Sequence, residues 1–498
     1  MSGASARITE AEAAFLYRET SSAPLQQINL SGIDGELDAE ALKTLLARRL
    51  HRLPRSRQRL INVPLGLAQP LWVDAHDFDI DQHVAEVQLA AGAGMGEVFQ
   101  AAAQVAIAPL NRQRPLWRML LLRGMPGRTV LVSVAHLALL AHRSMLDWLQ
   151  GLLDLQQESR HDDIPPPWKP HPAPSDLKLA SDAIADNTRG FGERATTLQG
   201  FTARHQELLS QATEVLSRFV LQPALLAPWN EMPVNMVRNF DFVVLPMTAV
   251  RQARSRLGGT ANELLLSTVA EALSRYLARQ DQDILRFMCP VIVRREGEQG
   301  SVGTILSAMF PSFGVPQLSM VERLGEVRQQ LGQMHNSREA QALALLSELA
   351  PPLPPMLNPA QQLHDWPTLD FVTFNPMSWL QQFTPRLTPE LPDLGWSWSG
   401  QKTNLQVAAS AETAGFNLMC QTVTGPQTPH YLAGCPVAFH LNFPTLAANL
   451  GLGVSIVTYN QSVYLCLSSA SPVPVDLSRL GVLLRQCFAE LLHGDSPN

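Results

Sequence analysis

Residues 114–149 read RPLWRMLLLRGMPGRTVLVSVAHLALLAHRSMLDWL. Two apolar runs, Arg118 to Arg123 and Thr129 to His136, flank Gly124-Met125-Pro126-Gly127, which breaks any helix and favours a turn, so the stretch reads as a β-hairpin. Ser144 and Asp147 then stand three apart, the spacing of a capping box, and open a helix carrying Leu149, Leu152 and Leu153. Strand, loop and helix therefore meet between His136 and Arg143.

The same signals recur on both sides. Thr9 and Glu12 cap a first helix through Ala13, Phe15 and Leu16. A second helix is expected from Asp38 to Arg52, a strand from Gln69 to Val73, and a helix from Glu97 to Ala108 leading into Pro115-Leu116-Trp117. The run from Ile164 to Pro174 holds six prolines, so it can be neither helix nor central strand and reads as an extended linker. A helical connector follows to about Val237. Beyond it come a strand from Asn239 to Leu245, a helix capped by Thr260 and Glu263, and strands near Phe287 to Arg294 and Leu306 to Phe310. Residues 351–412 are rich in proline and tryptophan and read as an irregular insertion. Strands near Phe416 to Thr422, Val454 to Tyr459 and Val463 to Leu467 precede a last helix from Leu477 to Leu492. The expected organisation is one half over 1–163, linker and connector over 164–237, and a second half over 238–498.

Composition narrows the function. A chain of 498 residues with 16% charged residues and a net charge of −6 has a sparsely charged surface or a large core, and no basic field for nucleic acid. Five cysteines show neither a paired C-x-x-C spacing nor a metal-ligand spacing, so reduced thiols are expected and a metal is not. No stretch reaches the roughly eighteen apolar residues of a membrane span. A cytoplasmic protein is expected, with peripheral contact to the inner membrane or lipid inclusions as a second expectation; the tryptophans of 351–412 would suit such a contact.

Several segments, in order along the chain, resemble the bacterial wax ester synthase/diacylglycerol acyltransferase family. Thr9 to Leu16 is similar to its L-S-x-x-D-x-x-F-L opening. Pro64 to Trp72 with Phe78 to Val84 resembles P-L-G-x-x-x-P-x-W and F-D-x-x-x-H-V, and Arg114-Pro115-Leu116-Trp117 matches R-P-L-W. Pro290 to Arg294, Ser307 to Phe310, Gly425-Pro426 and Tyr431 to Gly434 resemble its later blocks. One such match is weak; this many in sequence order is specific. The resemblance implies an α/β fold of two chloramphenicol-acetyltransferase-like halves, shared with peptide-synthetase condensation domains, with a tunnel between them. It also implies transfer of a fatty acyl group from acyl-coenzyme A to a long-chain alcohol or diacylglycerol, with no resident cofactor. In the family the second histidine of H-H-x-x-x-D-G is the general base, and the aspartate holds its loop.

Here that motif falls on His136-Leu137-Ala138-Leu139-Leu140-Ala141-His142. The first histidine is kept; Leu137 occupies the base position, Ala141 the aspartate position and His142 the glycine position. Leucine has no lone pair, and a positioned general base is worth about 10² to 10⁴ in rate. His136 should face away from Leu137 if the strand persists, which leaves His142 as the better surrogate. Other polar motif positions also change: Gly303-Thr304 stands for G-N, Thr422 to Pro426 for N-V-P-G-P, and Ala448 to Gly453 for D-G-x-x-L-N. Asn262-Glu263 stands for N-D, with Glu263 equally readable as a helix cap. Pro115, Leu116 and Trp117 are candidate substrate contacts or core anchors. Two functions follow: an acyltransferase of weak or lost activity, or a noncatalytic paralogue that binds acyl chains or acyl-coenzyme A or regulates a partner.

Overall fold

The hairpin forms with strands Trp117–Met125 and Arg128–His136, reversing at Pro126-Gly127, where Gly127 takes the positive φ of 66° that the turn requires. It sits inside a computed structural model that describes residues 6–19, 23–140, 144–157, 167–186, 203–222, 224–225, 227–230, 237–279, 283–294, 304–349, 413–414, 416–446, 450–471 and 475–494. In chain order the first part holds β1 (Ala6–Arg7), α1 (Glu10–Arg18), β2 (Gln26–Asp34), α2 (Ala39–Arg49), β3 (Gln58–Ile61), β4 (Leu71–Asp74), β5 (Val84–Gln88), α3 (Met95–Ile107), the hairpin strands β6 and β7, α4 (Leu137–Leu140) and α5 (Met145–Gln150). A helix α6 at 176–186 leads to α7 (Ala203–Leu221), β8 (Ala224–Leu225), β9 (Val237–Pro246), α8 (Met247–Leu257), α9 (Ala261–Leu277), β10 (Ile284–Arg294), β11 (Thr304–Met309), β12 (Ser312–Gly314), α10 (Met320–Asn336) and α11 (Glu339–Leu349). The chain closes with β13 (Thr413–Ala414), β14 (Leu418–Thr424), β15 (Tyr431–Leu432), β16 (Cys435–Phe443), β17 (Leu452–Tyr459), β18 (Ser462–Ser471) and α12 (Leu477–His493).

Two large sheets organise these elements. The first runs β15-β16-β2-β7-β6-β5 and the second β11-β10-β14-β17-β18-β9. Each has its own apolar core: Leu30, Trp117, Leu121, Val132 and Leu441 in the first, Val243, Leu265, Phe287, Ile456 and Leu465 in the second. The mixed α/β class and the two-sheet plan agree with expectation. The strand expected at Gln69 to Val73 is found as Leu71–Asp74.

Four strands of the first sheet, β2, β5, β15 and β16, were not anticipated, and β16 crosses the expected division of the chain. β2 carries Gln27, Asn29 and Ser31 in alternation, so its apolar pattern is broken on one face although every residue from Gln26 to Ile33 is buried. β16 comes from the far end of the chain yet pairs antiparallel with β2, from Phe443 opposite Ile28 to Val437 opposite Ile33. The first sheet is thus completed by residues that the expected division at 163 and 238 assigns to the second half. The register of β16 shifts between Val437 and Phe439, where the Phe439 ring lies over Gly32 and would overlap any Cβ there.

The described part of the proline-rich run is anchored on the first half. Trp168 meets Phe78 edge-on and takes the Arg57 guanidinium over its ring, and the His171 backbone N–H donates to Asp74 Oδ2 at 2.9 Å. Leu179 and Ala183 of α6 then pack on Val63, Leu71 and Val73. The expected insertion at 351–412 lies outside the described residues.

Candidate active site

β2 and β7 stay in register from Asp34 opposite Arg128 to Gln26 opposite His136, and Leu137 N–H donates to Leu25 O at 3.0 Å. The ladder ends at His136 and Leu137 opens α4, so strand alternation does not extend to Leu137.

His136 lies on the face that carries Gln26, whose amide donates to Ala106 O and Ala108 O at the end of α3. Its ring is 1% exposed. Nδ1 accepts from Ala138 N–H at 3.0 Å, which puts the proton of the neutral ring on Nε2. That nitrogen points towards Glu19 Oε2 at 3.8 Å, beyond hydrogen-bond range. Glu19 is already held by Arg112 at 2.6 Å. Burial, helped by the Arg112 charge, pushes the imidazole down to about 3. A buried ring whose free lone pair is engaged by a backbone N–H cannot act as a base in place of Leu137.

Leu137, the first residue of α4, is half-buried against the first core, and the last residue before His136 on β7 is Ala135. Opposite Ala135 stands Gln27. Its Nε2 donates to Gln421 Oε1 at 3.5 Å, and Gln421 Nε2 donates to Ser455 Oγ at 3.3 Å. This chain of neutral amides joins β2 of the first sheet to β14 and β17 of the second. Ala141 and His142 lie outside the described residues.

The other expected site residues are engaged elsewhere. Pro115, Leu116 and Trp117 are buried; Trp117 stacks on His83, tilts against Trp148 and donates from its indole to Ser56 O at 2.8 Å, so it anchors the core. Asn262 Oδ1 accepts from Thr422 Oγ1 at 2.9 Å. Thr422 follows Gln421 on β14, so Asn262 and Gln27 meet opposite faces of that strand. Glu263 completes the capping box of α9, accepting from Thr260 N–H at 3.1 Å, and also accepts from Arg328 Nε at 3.3 Å. Gln27 and Gln421 were not singled out beforehand. The signal for Gln27 was present: a polar residue alternating with apolar ones in a strand the hairpin needs as a neighbour.

Two family models cover most of this chain. The wax ester synthase/diacylglycerol acyltransferase catalytic domain matches residues 8–265, and the C-terminal domain of the same family matches 383–492. The chain belongs to this family. Among its relatives is a Mycobacterium tuberculosis protein named as a candidate diacylglycerol O-acyltransferase, 28% identical over 331 residues, covering 64% of this chain and 70% of the relative. Another from the same organism is 24% identical over 507 residues, covering 98% and 90%. Among solved structures, the wax ester synthase/diacylglycerol acyltransferase from Marinobacter aquaeolei VT8 is similar with a TM-score of 0.61 at 18% identity, covering 98% of each chain. The first condensation domain of the calcium-dependent antibiotic synthetase is similar with a TM-score of 0.59 at 14% identity, covering 100% of this chain and 98% of that one. These two share the fold.

Among the described residues of this family member no helix is long and apolar enough to cross a membrane, and no group of three or more histidine, cysteine, aspartate or glutamate side chains could hold a metal ion. The five cysteines are unpaired, with Cys420, Cys466 and Cys487 buried.

Proposed function

We propose that this chain keeps the acyltransferase scaffold, holds acyl-coenzyme A together with a lipid alcohol or diacylglycerol, and transfers the acyl group slowly or not at all. The observation that carries this reading is the arrangement at the base position. Leu137 occupies it, and the neighbouring histidine is buried with its lone pair engaged by Ala138 N–H. In the family reaction the acceptor oxygen attacks the thioester carbon, the carbon–sulfur bond breaks, and the hydroxyl proton must leave as the new bond forms. Gln27 and Gln421 can orient a hydroxyl but cannot take its proton near neutrality. Without a base the step is slower by about 10² to 10⁴; what remains is proximity of two bound substrates.

Binding does not need the base. A variant of the starter condensation domain of rhizomide synthetase, with a histidine and an arginine replaced by alanine, was crystallised with C8-CoA and Leu-SNAC, and this chain shares its fold with a TM-score of 0.56 at 13% identity. Each methylene buried from a bound acyl chain contributes about 0.8 kcal/mol before ordering costs, so affinity should climb with chain length until the available channel is filled. The test is calorimetry with acyl-coenzyme A from C8 to C18, alongside an ester-synthesis assay with palmitoyl-coenzyme A and hexadecanol or diacylglycerol. The expected result is chain-length-dependent binding with turnover at least a hundredfold below that of an active relative. Turnover equal to an active relative and abolished by His142→Ala would replace this reading with a relocated base.

A further inference from the structure

On the face of the first sheet that carries Gln27, three directly opposed positions on neighbouring strands hold Ser133 on β7, Asn29 on β2 and Asn442 on β16. All three side chains have no exposed surface. Asn29 Nδ2 donates to Ser31 Oγ at 2.9 Å. Asn29 Oδ1, Ser133 Oγ and both amide atoms of Asn442 have no hydrogen-bond partner among the described residues. Buried polar atoms are almost always paired, with protein or with ordered water, and this row gathers four that have no protein partner among the described residues.

We propose that Ser133, Asn29 and Asn442 form a binding site for a neutral hydroxyl. Strands about 5 Å apart put all three side chains within reach of a guest of one or two heavy atoms. The guest must donate, because it faces two amide oxygens, and accept, because it faces the Asn442 amide N–H; a hydroxyl does both. An ionised carboxylate could not donate to the amide oxygens, an ammonium could not accept, and no charged side chain stands in the row to balance either of these or a phosphate. The hydroxyl has two sources, an internal water or the terminal hydroxyl of a lipid alcohol. The lipid source rests on the acceptor binding proposed above; the water source does not. Ser133 lies three strand steps, about 10 Å, before the end of β7 at His136, so an alcohol seated here is held away from the family's reaction position.

The experiment is a crystal structure of the full chain, alone and soaked with dodecanol, paired with affinities for dodecanol and for dodecyl methyl ether, which lacks the donor. The expected result is electron density bridging the three side chains, and alcohol binding at least tenfold tighter than ether. The double variant Ser133→Ala with Asn442→Leu should reduce the alcohol to the level of the ether while palmitoyl-coenzyme A affinity stays within twofold. Ser133→Ala alone, which removes one oxygen, serves if the double variant does not fold. Density in the free protein with alcohol and ether bound equally supports the site with water as its occupant. An empty row, or Asn29, Ser133 and Asn442 hydrogen-bonded to one another, overturns it. Loss of palmitoyl-coenzyme A binding by the native chain with the hydroxyl preference intact would instead count against the function proposed above.

Discussion

His136 and His440 share a condition that neither sequence position announces. His440 lies wholly buried on β16, its Nδ1 2.8 Å from Ser31 Oγ, and burial, with the neighbouring His430 adding to it, pushes it down to about 3. His136 is pushed equally low. In the unfolded chain both titrate near 6.5, so between about pH 3 and 6.5 the unfolded state binds more protons and stability must fall as pH falls; above 6.5 the pair contributes no slope. Each ring should cost about 1.4 kcal/mol per pH unit below 6.5. Thermal unfolding scanned from pH 7 to 4.5 should show a steep loss that becomes shallower in His136→Gln, His440→Gln, and an unchanged slope in that double variant would show that carboxylates alone govern the acid limb. Restoring the family motif is the complementary change. Leu137→His with Ala141→Asp and His142→Gly should raise ester synthesis by about a hundredfold or more, the usual worth of a positioned base, with acyl-coenzyme A affinity little altered. If the triple variant binds acyl-coenzyme A yet gains no turnover, more than the base has been lost.

At the scale of elements, the features legible in the sequence are those fixed by near neighbours. The caps at Thr9 with Glu12, Ser144 with Asp147 and Thr260 with Glu263 all form as reciprocal capping boxes, because a cap needs only residues three apart. The last of these separates the two readings of Glu263. Thr260→Ala should cost about 1 kcal/mol in denaturant unfolding, and Glu263→Gln, which can still cap, should leave acyl-coenzyme A binding unchanged; a tenfold weaker affinity would return Glu263 to the binding site. What stayed hidden is non-local. Ser31 and His440 are 409 residues apart, and nothing in a local window around Cys435–Phe443 says that its partner is β2 rather than a strand of its own half. Gln27, Asn29 and Ser133 were passed over for a related reason: an alternating polar residue ordinarily marks a solvent face, and here that face is buried, with Gln27 meeting Gln421 of the second half.

The whole molecule is held together by this exchange. β16 supplies Val437, Leu441 and Phe443 to the first core, and Phe443 and Phe99 of α3 contact Phe240 of β9. Thr445 Oγ1 donates to Gln26 O, and Tyr459 OH donates to Val437 O. The first sheet is therefore incomplete until the end of the chain has been made. Residues 1–186 contain α6 and all the other strands of that sheet beyond the β15–β16 pair, so a fragment with these bounds isolates what β16 contributes. Alone, it would expose the unpaired edge of β2 with Ile28, Leu30 and Ile33 beside it, the condition that drives strands to aggregate. The fragment expressed alone should be insoluble or unfold without a cooperative transition. Co-expressed with residues 203–498 it should be recovered as a soluble complex that unfolds in a single transition, since β16 on the second chain then completes the first core and Phe443 ties it to Phe240 of β9. A soluble 1–186 fragment with a sharp transition of its own would mean that the first sheet folds independently and that β16 is added to a finished half.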